Sequence, residues 1–254
     1  MLRNSGHCAA CLASISLHFL LSPIEGAAAA DPDRLLFVRP EDLRTVLFSQ
    51  IDAGRSVFFT LGAKQTLVGP LDRTGFVVME TSGFGITHER FRRQELNLPA
   101  VRFTTQTSVL VGQQWNLGPV FLSALIGPEI LHEQLTIAGQ VQGFSEPIYG
   151  AKGLIELWAH PTRNTILTAT LTGTTAKASV SGRGSVGYRV WNNLFAGPEI
   201  SAYATDSYQE TKAGAHLTGF AFGILQGRVS AGWMVTDDRR RGSPYVSVAA
   251  WARM

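Results

Sequence analysis

Cysteine is almost absent from the chain. Its 254 residues contain two cysteines, Cys8 and Cys11, both in or beside an apolar stretch from Ala9 to Leu21. A basic residue precedes this stretch and small residues follow it up to Ala30, which is the order of a signal peptide. Removal of residues 1–30 would leave no cysteine, which excludes disulfides, thiolate metal sites and a cysteine nucleophile. A lipoprotein anchor is the less favoured alternative, because neither cysteine follows the apolar stretch.

Charged residues and long apolar runs are also scarce. Only 16% of the residues are charged, against roughly 25% in a typical soluble domain. After Asp31 no uninterrupted apolar run reaches the ~18 residues that a membrane-spanning helix needs. The net charge of +3 comes from scattered basic residues, so the sequence predicts no nucleic-acid partner.

What recurs instead is the alternation of apolar and polar residues with a period of two. Similar alternation occurs at 101–115, 150–159 and 226–236. Runs of this length exceed the roughly five or six residues common for strands of globular sheets. A tilted strand that crosses the apolar layer of a membrane needs such a length. In the first run, one face carries Val101, Phe103, Thr105, Thr107, Val109 and Val111, and the other carries Arg102, Thr104, Gln106 and Ser108.

The alternating runs predict an all-β fold, namely an antiparallel up-and-down transmembrane β-barrel of about twelve strands. An even number is typical of single-chain bacterial barrels. Residues 1–30 are predicted to be a signal peptide, 31–44 an N-terminal lead-in, and 45–254 an outer-membrane β-barrel. The predicted strands are 45–52, 57–67, 75–87, 101–115, 119–134, 149–159, 164–174, 177–190, 193–204, 210–222, 226–236 and 243–253.

The connections between the predicted strands alternate in length. Longer ones, among them 88–100 and 135–148, follow odd-numbered strands, and mostly brief turns follow even-numbered ones. Outer-membrane barrels keep their short turns in the periplasm and their longer loops outside. The sequence therefore predicts that 88–100 and 135–148 face the outside, and that the turns at Trp115-Asn116 and Trp191-Asn192 face the periplasm.

Two stretches of the sequence resemble each other. Residues 111–116, Val-Gly-Gln-Gln-Trp-Asn, lead through a turn to Gly-Pro-Glu at 127–129. Residues 186–192, Val-Gly-Tyr-Arg-Val-Trp-Asn, lead in the same way to Gly-Pro-Glu at 197–199. Because proline cannot donate a hydrogen bond to a strand ladder, each Gly-Pro-Glu is predicted to mark a β-bulge.

The polar face of the predicted strands carries charges of both signs. If the apolar face meets lipid, the polar face lines the lumen and could select or guide a solute or polysaccharide. The favoured alternative is that opposite charges brace a narrow lumen, because buried charges need partners. The lumen-lining candidates are Glu80, Arg102, Glu129, Lys152, Glu156, Arg183, Arg189, Glu199 and Arg228. Aromatic candidates for stacking on sugar rings, with girdle and packing roles as the commoner alternative, are Phe144, Trp158, Tyr188, Tyr203 and Tyr208.

Recognisable catalytic motifs are missing. The mature chain has four histidines, His88, His132, His160 and His216, but no Gly-x-Ser-x-Gly elbow and no His-Glu-x-x-His spacing. There is no phosphate loop and no dinucleotide-binding fingerprint. The sequence therefore predicts a protein that is not an enzyme, with no catalytic residue, metal or cofactor. A general small-solute porin and, less favoured, a lipid-modifying outer-membrane enzyme stay open as alternatives.

Motifs along most of the mature chain resemble one known family. The stretch Gly69-Pro-Leu-Asp-Arg-Thr-Gly-Phe76, the triplet Gly83-Phe-Gly85 and the two Trp-Asn…Gly-Pro-Glu stretches are similar to the cellulose biosynthesis protein BcsS family of alphaproteobacterial cellulose operons. The resemblance covers residues 45–254. It implies a non-enzymatic outer-membrane accessory protein of cellulose biosynthesis or export, with no assigned catalytic residues. The implied partners are outer-membrane lipid and, as candidates, cellulose or other components of cellulose synthesis.

Overall fold

The computed structural model describes residues 43–93, 96–237 and 239–254, with the side chains of 90–93, 96–97, 142–144 and 239–241 excepted. The predicted signal peptide, with both cysteines, and nearly all of the lead-in lie outside the described residues. Within the described part, no helix has the length and hydropathy of a membrane span. The strands are β1 (Thr45–Ala53), β2 (Ser56–Thr66), β3 (Gly75–Arg93), β4 (Leu96–Asn116), β5 (Val120–Ile137), β6 (Gln140–Phe144), β7 (Ile148–Thr162), β8 (Thr165–Thr174), β9 (Ser179–Trp191), β10 (Leu194–Thr205), β11 (Tyr208–Phe222), β12 (Leu225–Thr236) and β13 (Arg239–Arg253).

The strands form one closed sheet in which sequence neighbours pair antiparallel. β1 closes the sheet by pairing with β13, and β4 pairs with β5. The short β6 pairs with the last part of β5, and β7 pairs with the first part, so β6 and β7 share one position in the wall. The wall therefore has twelve positions. The predicted fold class, an antiparallel up-and-down barrel of about twelve strands, is confirmed.

The two ends of the barrel differ in their connections. At one end, here called the terminal end, the backbone N–H groups of Arg44 and Thr45 donate to the carbonyl oxygen of Met254 at 2.8 and 2.9 Å. The connections 67–74, 117–119, 163–164, 192–193 and 223–224 lie at the same end. At the opposite end, here called the loop end, β3 and β4 extend as a hairpin and β6 adds a further short strand.

Two segments predicted to be loops are partly strand. Residues 88–100 continue the pairing of β3 with β4 up to Arg93 and Leu96, and residues 140–144 form β6. Both lie at the loop end of the barrel. A hairpin that projects beyond a lipid-facing band has no apolar outer face to maintain, so its sequence lacks the alternation that marks the rest of the wall.

Successive residues of each strand point alternately into and out of the barrel. In β4, Ser108 and Leu110 are 2% and 0% exposed, whereas Val109 between them is 44% exposed. Inward apolar residues of β3 to β7 form a small core of Val77, Met79, Leu110, Leu125 and Leu154. Apolar side chains dominate the outward positions, as a wall in contact with lipid requires. They include Val57, Phe59, Leu61, Val111, Ile126, Ile130, Ile155, Leu171, Ile200, Val229, Val246 and Val248.

Strand register gives the height of each outward residue on the wall. Paired residues lie perpendicular to the strands, and because barrel strands tilt by about 40°, a row of pairs climbs about 3 Å per strand. One row starts at the terminal end and reaches the loop end by way of Glu80 and Val109. Its members are Leu225, Ala252, Leu47, Ala63, Glu80, Val109, Pro128, Ala151 and Thr175.

A second row crosses the other side of the barrel in the same number of steps. Its members are Trp115, Leu122, Leu157, Ala169, Gly184, Ile200, Ala213, Trp233 and Pro244. Eight steps correspond to about 25 Å, the height of the apolar band of an outer-membrane barrel. Val109 and Ile200 occupy the same step, just past the middle. Trp115 and Trp233 lie near opposite rims, where tryptophan is typical of a membrane interface.

The two Gly-Pro-Glu segments do not form bulges. The register of β5 with β4 is the same on both sides of Gly127 and Pro128, and that of β10 with β9 is the same on both sides of Gly197 and Pro198. The predicted bulges are therefore wrong. A Cβ on either glycine would overlap a carbonyl oxygen of the neighbouring strand. Glycine thus lets the strands approach closely beside the proline, which lacks a donor, and no extra residue is needed.

Candidate functional site in the barrel lumen

Eight of the nine lumen candidates lie at inward positions. Glu129 and Glu199 are 1% and 3% exposed, and Arg228 is 8% exposed. Arg189 is exposed at the terminal end, with its guanidinium 5.4 Å from the centre of the Phe195 ring. The remaining four, which form ion pairs within the barrel, are Arg102, Lys152, Glu156 and Arg183.

Glu80 lies on the outer face, so its predicted place in the lumen is wrong. Val77 and Met79 are buried, and alternation from Met79 directs Glu80 outward, beside Val109 on β4. Four apolar residues in succession, at 76–79, obscure the alternation at this point, and the sequence therefore does not fix which of them faces inward. None of the ion pairs among the described residues includes Glu80.

A group of four charged residues, here called the central cluster, crosses the lumen: Asp52, Arg183, Glu199 and Arg228. Glu199 of β10 is ion-paired with Arg228 of β12, and Arg183 of β9 lies 3.8 Å from its other carboxylate oxygen. Arg183 also contacts Asp52 of β1 at 3.0 Å, and Arg228 donates to Thr168 of β8 at 3.1 Å. Neither β1 and β9 nor β8 and β12 are neighbours in the sheet, so these side chains bridge opposite parts of the wall.

A second bridge spans the lumen near the central cluster. The ammonium group of Lys64 on β2 lies 2.9 Å from a carboxylate oxygen of Glu156 on β7. The same group donates to the hydroxyl of Ser123 on β5 at 2.7 Å. β2 has neither β5 nor β7 as a neighbour, and the contact therefore again joins separate parts of the wall.

Further charges meet nearer the loop end. Arg102 donates to both carboxylate oxygens of Glu89, at 2.8 and 3.1 Å, and to Glu133 at 3.0 Å. Lys177, in the connection between β8 and β9, also pairs with Glu133. Such two-pronged contacts between arginine and carboxylate fix geometry as well as contribute energy.

Glu129 is bound mainly by adjacent strands. Lys152 of β7 lies 3.3 Å from one carboxylate oxygen, and the side-chain amide of Gln106 on β4 donates to the same oxygen. The hydroxyl of Thr174 on β8 donates to the other oxygen. Every hydrogen-bonding site of this buried carboxylate that the structure describes is therefore used within a four-strand sector.

Sequence patterning missed several partners of the lumen charges, namely Asp52, Lys64, Glu89, Glu133 and Lys177. Asp52 and Lys64 lie on the two strands with the weakest alternation, and Glu89, Glu133 and Lys177 fall at the loop end. One signal was available. Buried charges need partners of opposite sign, and a search for inward carboxylates and bases beyond the clearest strands would have included them.

The half of the lumen towards the terminal end contains a cavity of about 560 Å³, here called the terminal cavity. It extends from Leu43 and Arg253 at the rim to the central cluster. Trp158 of β7 and Trp251 of β13 line it from opposite sides of the barrel, and their rings meet edge to face with centres 5.9 Å apart and an interplanar angle of 76°. The lumen is thus narrow at this level.

The other aromatic candidates lie elsewhere. The rings of Tyr203 and Tyr208 are 6.1 Å apart, near the connection between β10 and β11 at the loop end. Tyr188 is 60% exposed on the outer face. The side chain of Phe144 lies outside the described residues. Of the five, Trp158 is the one placed in the terminal cavity.

One histidine contacts a hydroxyl in the way a catalytic dyad would. His216 Nδ1 lies 2.8 Å from the Thr218 hydroxyl, and Nε2 lies 3.2 Å from the carbonyl oxygen of Val186. His216 and Thr218 are 3% and 1% exposed, and a substrate therefore has no access to the hydroxyl. The geometry fits a structural contact. The described residues contain no group of three or more histidine, cysteine, aspartate or glutamate side chains suited to a metal ion.

Comparisons with known proteins place this barrel among membrane barrels. The "KdgM porin" is 10% identical, with a TM-score of 0.48, over 82% of this chain and 99% of that one. The translocator domain of the autotransporter NalP from Neisseria meningitidis is 15% identical, with a TM-score of 0.46, over 87% and 91%. No curated protein sequence matches the chain. Residues 46–254 match the family described as cellulose biosynthesis protein BcsS, and the chain belongs to that family.

Proposed function

We propose that the protein resides in the outer membrane, with its terminal end in the periplasm. The outward apolar rows support this location, because their height of about 25 Å equals that of an outer-membrane apolar band. The barrel is expected to fractionate with the outer membrane and to change its gel mobility on heating. Recovery as a soluble periplasmic protein without such a mobility change would contradict the proposal.

The orientation can be tested independently. A tag inserted near Gln94 or at Gly139, at the loop end, should be reached by antibody on intact cells. A tag at Asn116 or Asn192, at the terminal end, should be reached only after the outer membrane is permeabilised. The reverse result would mean that the barrel is inserted with the opposite orientation.

Within the membrane, we propose that the barrel is a non-enzymatic accessory of cellulose biosynthesis that assists export, anchoring or organisation of cellulose at the cell surface. The main support beyond family membership is the state of the lumen carboxylates. Glu129 and Glu199, the two most buried, are each bound by basic side chains. Glycosidic chemistry usually needs two carboxylates about 5–9.5 Å apart that flank an accessible substrate, and these two groups are committed to structural contacts.

The bridges across the lumen also weigh against a general porin. The central cluster and the pair of Lys64 with Glu156 join non-neighbouring strands, which narrows any aqueous path. In a planar bilayer, the purified barrel is therefore expected to show little conductance. A stable large conductance at neutral pH would favour the porin alternative.

Gene deletion tests the cellulose assignment directly. The mutant is expected to produce less extracellular cellulose or to mislocalise it, while isolated inner membranes still polymerise glucan at the normal rate. Wild-type yield and localisation under cellulose-producing conditions would contradict the proposal. If purified barrel cleaves glucan and either Glu129→Gln or Glu199→Gln stops the reaction, the non-enzymatic assignment is wrong.

A further inference from the structure

The terminal cavity has the size and composition of a ligand site. Its volume of about 560 Å³ falls within the roughly 300–1,000 Å³ of small-molecule sites, which combine largely apolar walls with a few polar groups. Phe48, Met79 and Phe121 contribute to its wall besides the two tryptophans. Because it opens at the terminal end and stops at the central cluster, a ligand would enter from that end.

The tryptophan pair provides the surface that a sugar ring requires. In an edge-to-face pair, the ring that contributes its edge does not have its own faces covered by its partner. The indole N–H of Trp251 donates to Gln226 at 2.9 Å, which fixes the orientation of that ring. A flat aromatic face held in place at the wall of a narrow lumen matches the apolar C–H face of a pyranose.

The charges around the cavity favour a neutral ligand over an anionic one. Each basic side chain in its deep part has a carboxylate partner: Lys64 with Glu156, Arg183 with Asp52, and Arg228 with Glu199. Asp72 and Arg253 add one charge of each sign at the rim. An anionic ligand would have to displace one of the internal carboxylates from its base, at a cost in free energy.

Polar groups remain for sugar hydroxyls. The Glu156 side chain is 34% exposed, and the contacts described for it, to Lys64, involve Oε2, so Oε1 can accept from a ligand. The hydroxyl of Thr170, an exposed residue, also lines the cavity. A carboxylate oxygen and a hydroxyl beside aromatic faces are the groups that bind the edge and the face of a pyranose ring.

We propose that the terminal cavity binds a neutral saccharide, specifically a segment of β-1,4-linked glucan. The choice of glucan rests on the proposed role in cellulose production, whereas the choice of a neutral saccharide rests on the cavity itself. The flat ribbon of a β-1,4-glucan also suits a lumen in which residues from opposite strands are in contact. The site is a binding site without chemistry, because its carboxylates are paired with bases.

Titration of the barrel, purified in detergent from membranes, with a soluble β-1,4-linked glucose hexamer tests the proposal. Calorimetry should detect saturable binding, and Trp158→Leu or Trp251→Leu should weaken it at least tenfold. Trp233→Leu is the matched control, since that tryptophan is on the outer face, and it should bind as the wild type does. Absence of binding to the wild type, or equal affinity in all three variants, would overturn the proposal.

A second variant protects the test against misfolding of the tryptophan variants. Ala249 lines the cavity and is small, so Ala249→Phe should fill part of the space, keep both tryptophans and still reduce affinity at least tenfold. Unchanged affinity in this variant would contradict binding in the cavity. The α-1,4-linked hexamer should bind at least tenfold more weakly, and a galacturonate oligomer likewise. Equal or tighter binding of either would overturn the assignment to neutral β-glucan.

The outcome is separable from that of the proposed function. If the hexamer does not bind but gene deletion still lowers extracellular cellulose, the binding proposal fails and the accessory role stands. If it binds in the cavity but deletion leaves cellulose unchanged, the site is real and the cellulose role fails. Heat-modifiable gel mobility, measured for each variant, confirms that the barrel has folded in every case.

Discussion

Two segments of the wall share the sequence Gly-Pro-Glu and the same local structure but have different surroundings. In β5 and in β10, the glycine allows a close approach of the neighbouring strand, the proline faces outward, and the glutamate is buried in the lumen. Glu129 is then bound by Lys152, Gln106 and Thr174 within one sector of the wall. Glu199 belongs to the central cluster, which reaches across the lumen.

The comparison separates what a local motif determines from what distant strands determine. The backbone of the segment sets the direction and depth of the carboxylate. The bases that meet it come from other strands, and they decide whether the carboxylate braces one sector or connects opposite sides. Because Arg183 and Arg228 both depend on Glu199, that segment carries more of the charge balance of the lumen than its counterpart in β5.

The largest expected difference follows from removing each negative charge. Glu199→Gln leaves two buried arginines short of a carboxylate, so the free energy of unfolding should fall by about 3–5 kcal/mol, as on breaking a buried ion pair. Glu129→Gln leaves one lysine, whose side chain is 14% exposed and can reach water, and the loss should be about 1–3 kcal/mol. Urea unfolding of the barrel in lipid vesicles measures both. Equal losses would mean that the two carboxylates have equivalent surroundings.

Sequence patterning predicted the barrel, its strand number and most of its strands, because a wall between lipid and a polar lumen imposes a strict period of two. It also placed Glu129 and Glu199 inward, where the alternation is clean. It failed for Glu80, where four apolar residues in succession hide the period, and for the bulges, because close approach at glycine depends on the neighbouring strand. The pairing of Asp52 with Arg183 involves strands at opposite sides of the barrel, and no local pattern contains that information.

A basic residue on the outer face tests whether the two segments occupy equivalent heights. Val109, which is in register with Pro128, and Ile200, which follows Glu199, lie at the same step of their rows. Val109→Arg and Ile200→Arg should each cost about 2–4 kcal/mol of unfolding free energy, as near the bilayer midplane. Trp233→Arg, close to a rim, should cost about 0–1 kcal/mol. A larger cost at Trp233 than at Val109 would show that the heights derived from register are wrong.

Adding a methyl group at each glycine tests whether close strand approach is common to the two segments. Gly127→Ala and Gly197→Ala would each place a Cβ against a backbone carbonyl of the neighbouring strand. We expect a loss of about 1–3 kcal/mol in each variant, the usual range for overpacking. Gly153→Ala is the control, since nothing lies within 4 Å of a Cβ there, and it should change unfolding little. Similar stability of all three variants would remove the steric explanation for the glycines.

The smallest effect is expected at Glu80, which shares its row with Val109 and Pro128 but carries the opposite character. It lies on the middle step of that row, and outward polar residues surround it, with the hydroxyls of Ser82 and Thr107 3.4 Å apart. An acidic residue near the midplane costs less than the ~2–4 kcal/mol of a basic one, so Glu80→Leu should stabilise the barrel by about 1 kcal/mol. The same urea unfolding in vesicles measures the change, with Val109→Leu as a control at a neighbouring height. If Glu80→Leu instead destabilises the barrel in cells or alters its association state while leaving the isolated barrel intact, this part of the outer face contacts another protein rather than lipid. The equivalence of the outward rows would then hold for β10 but not for β3.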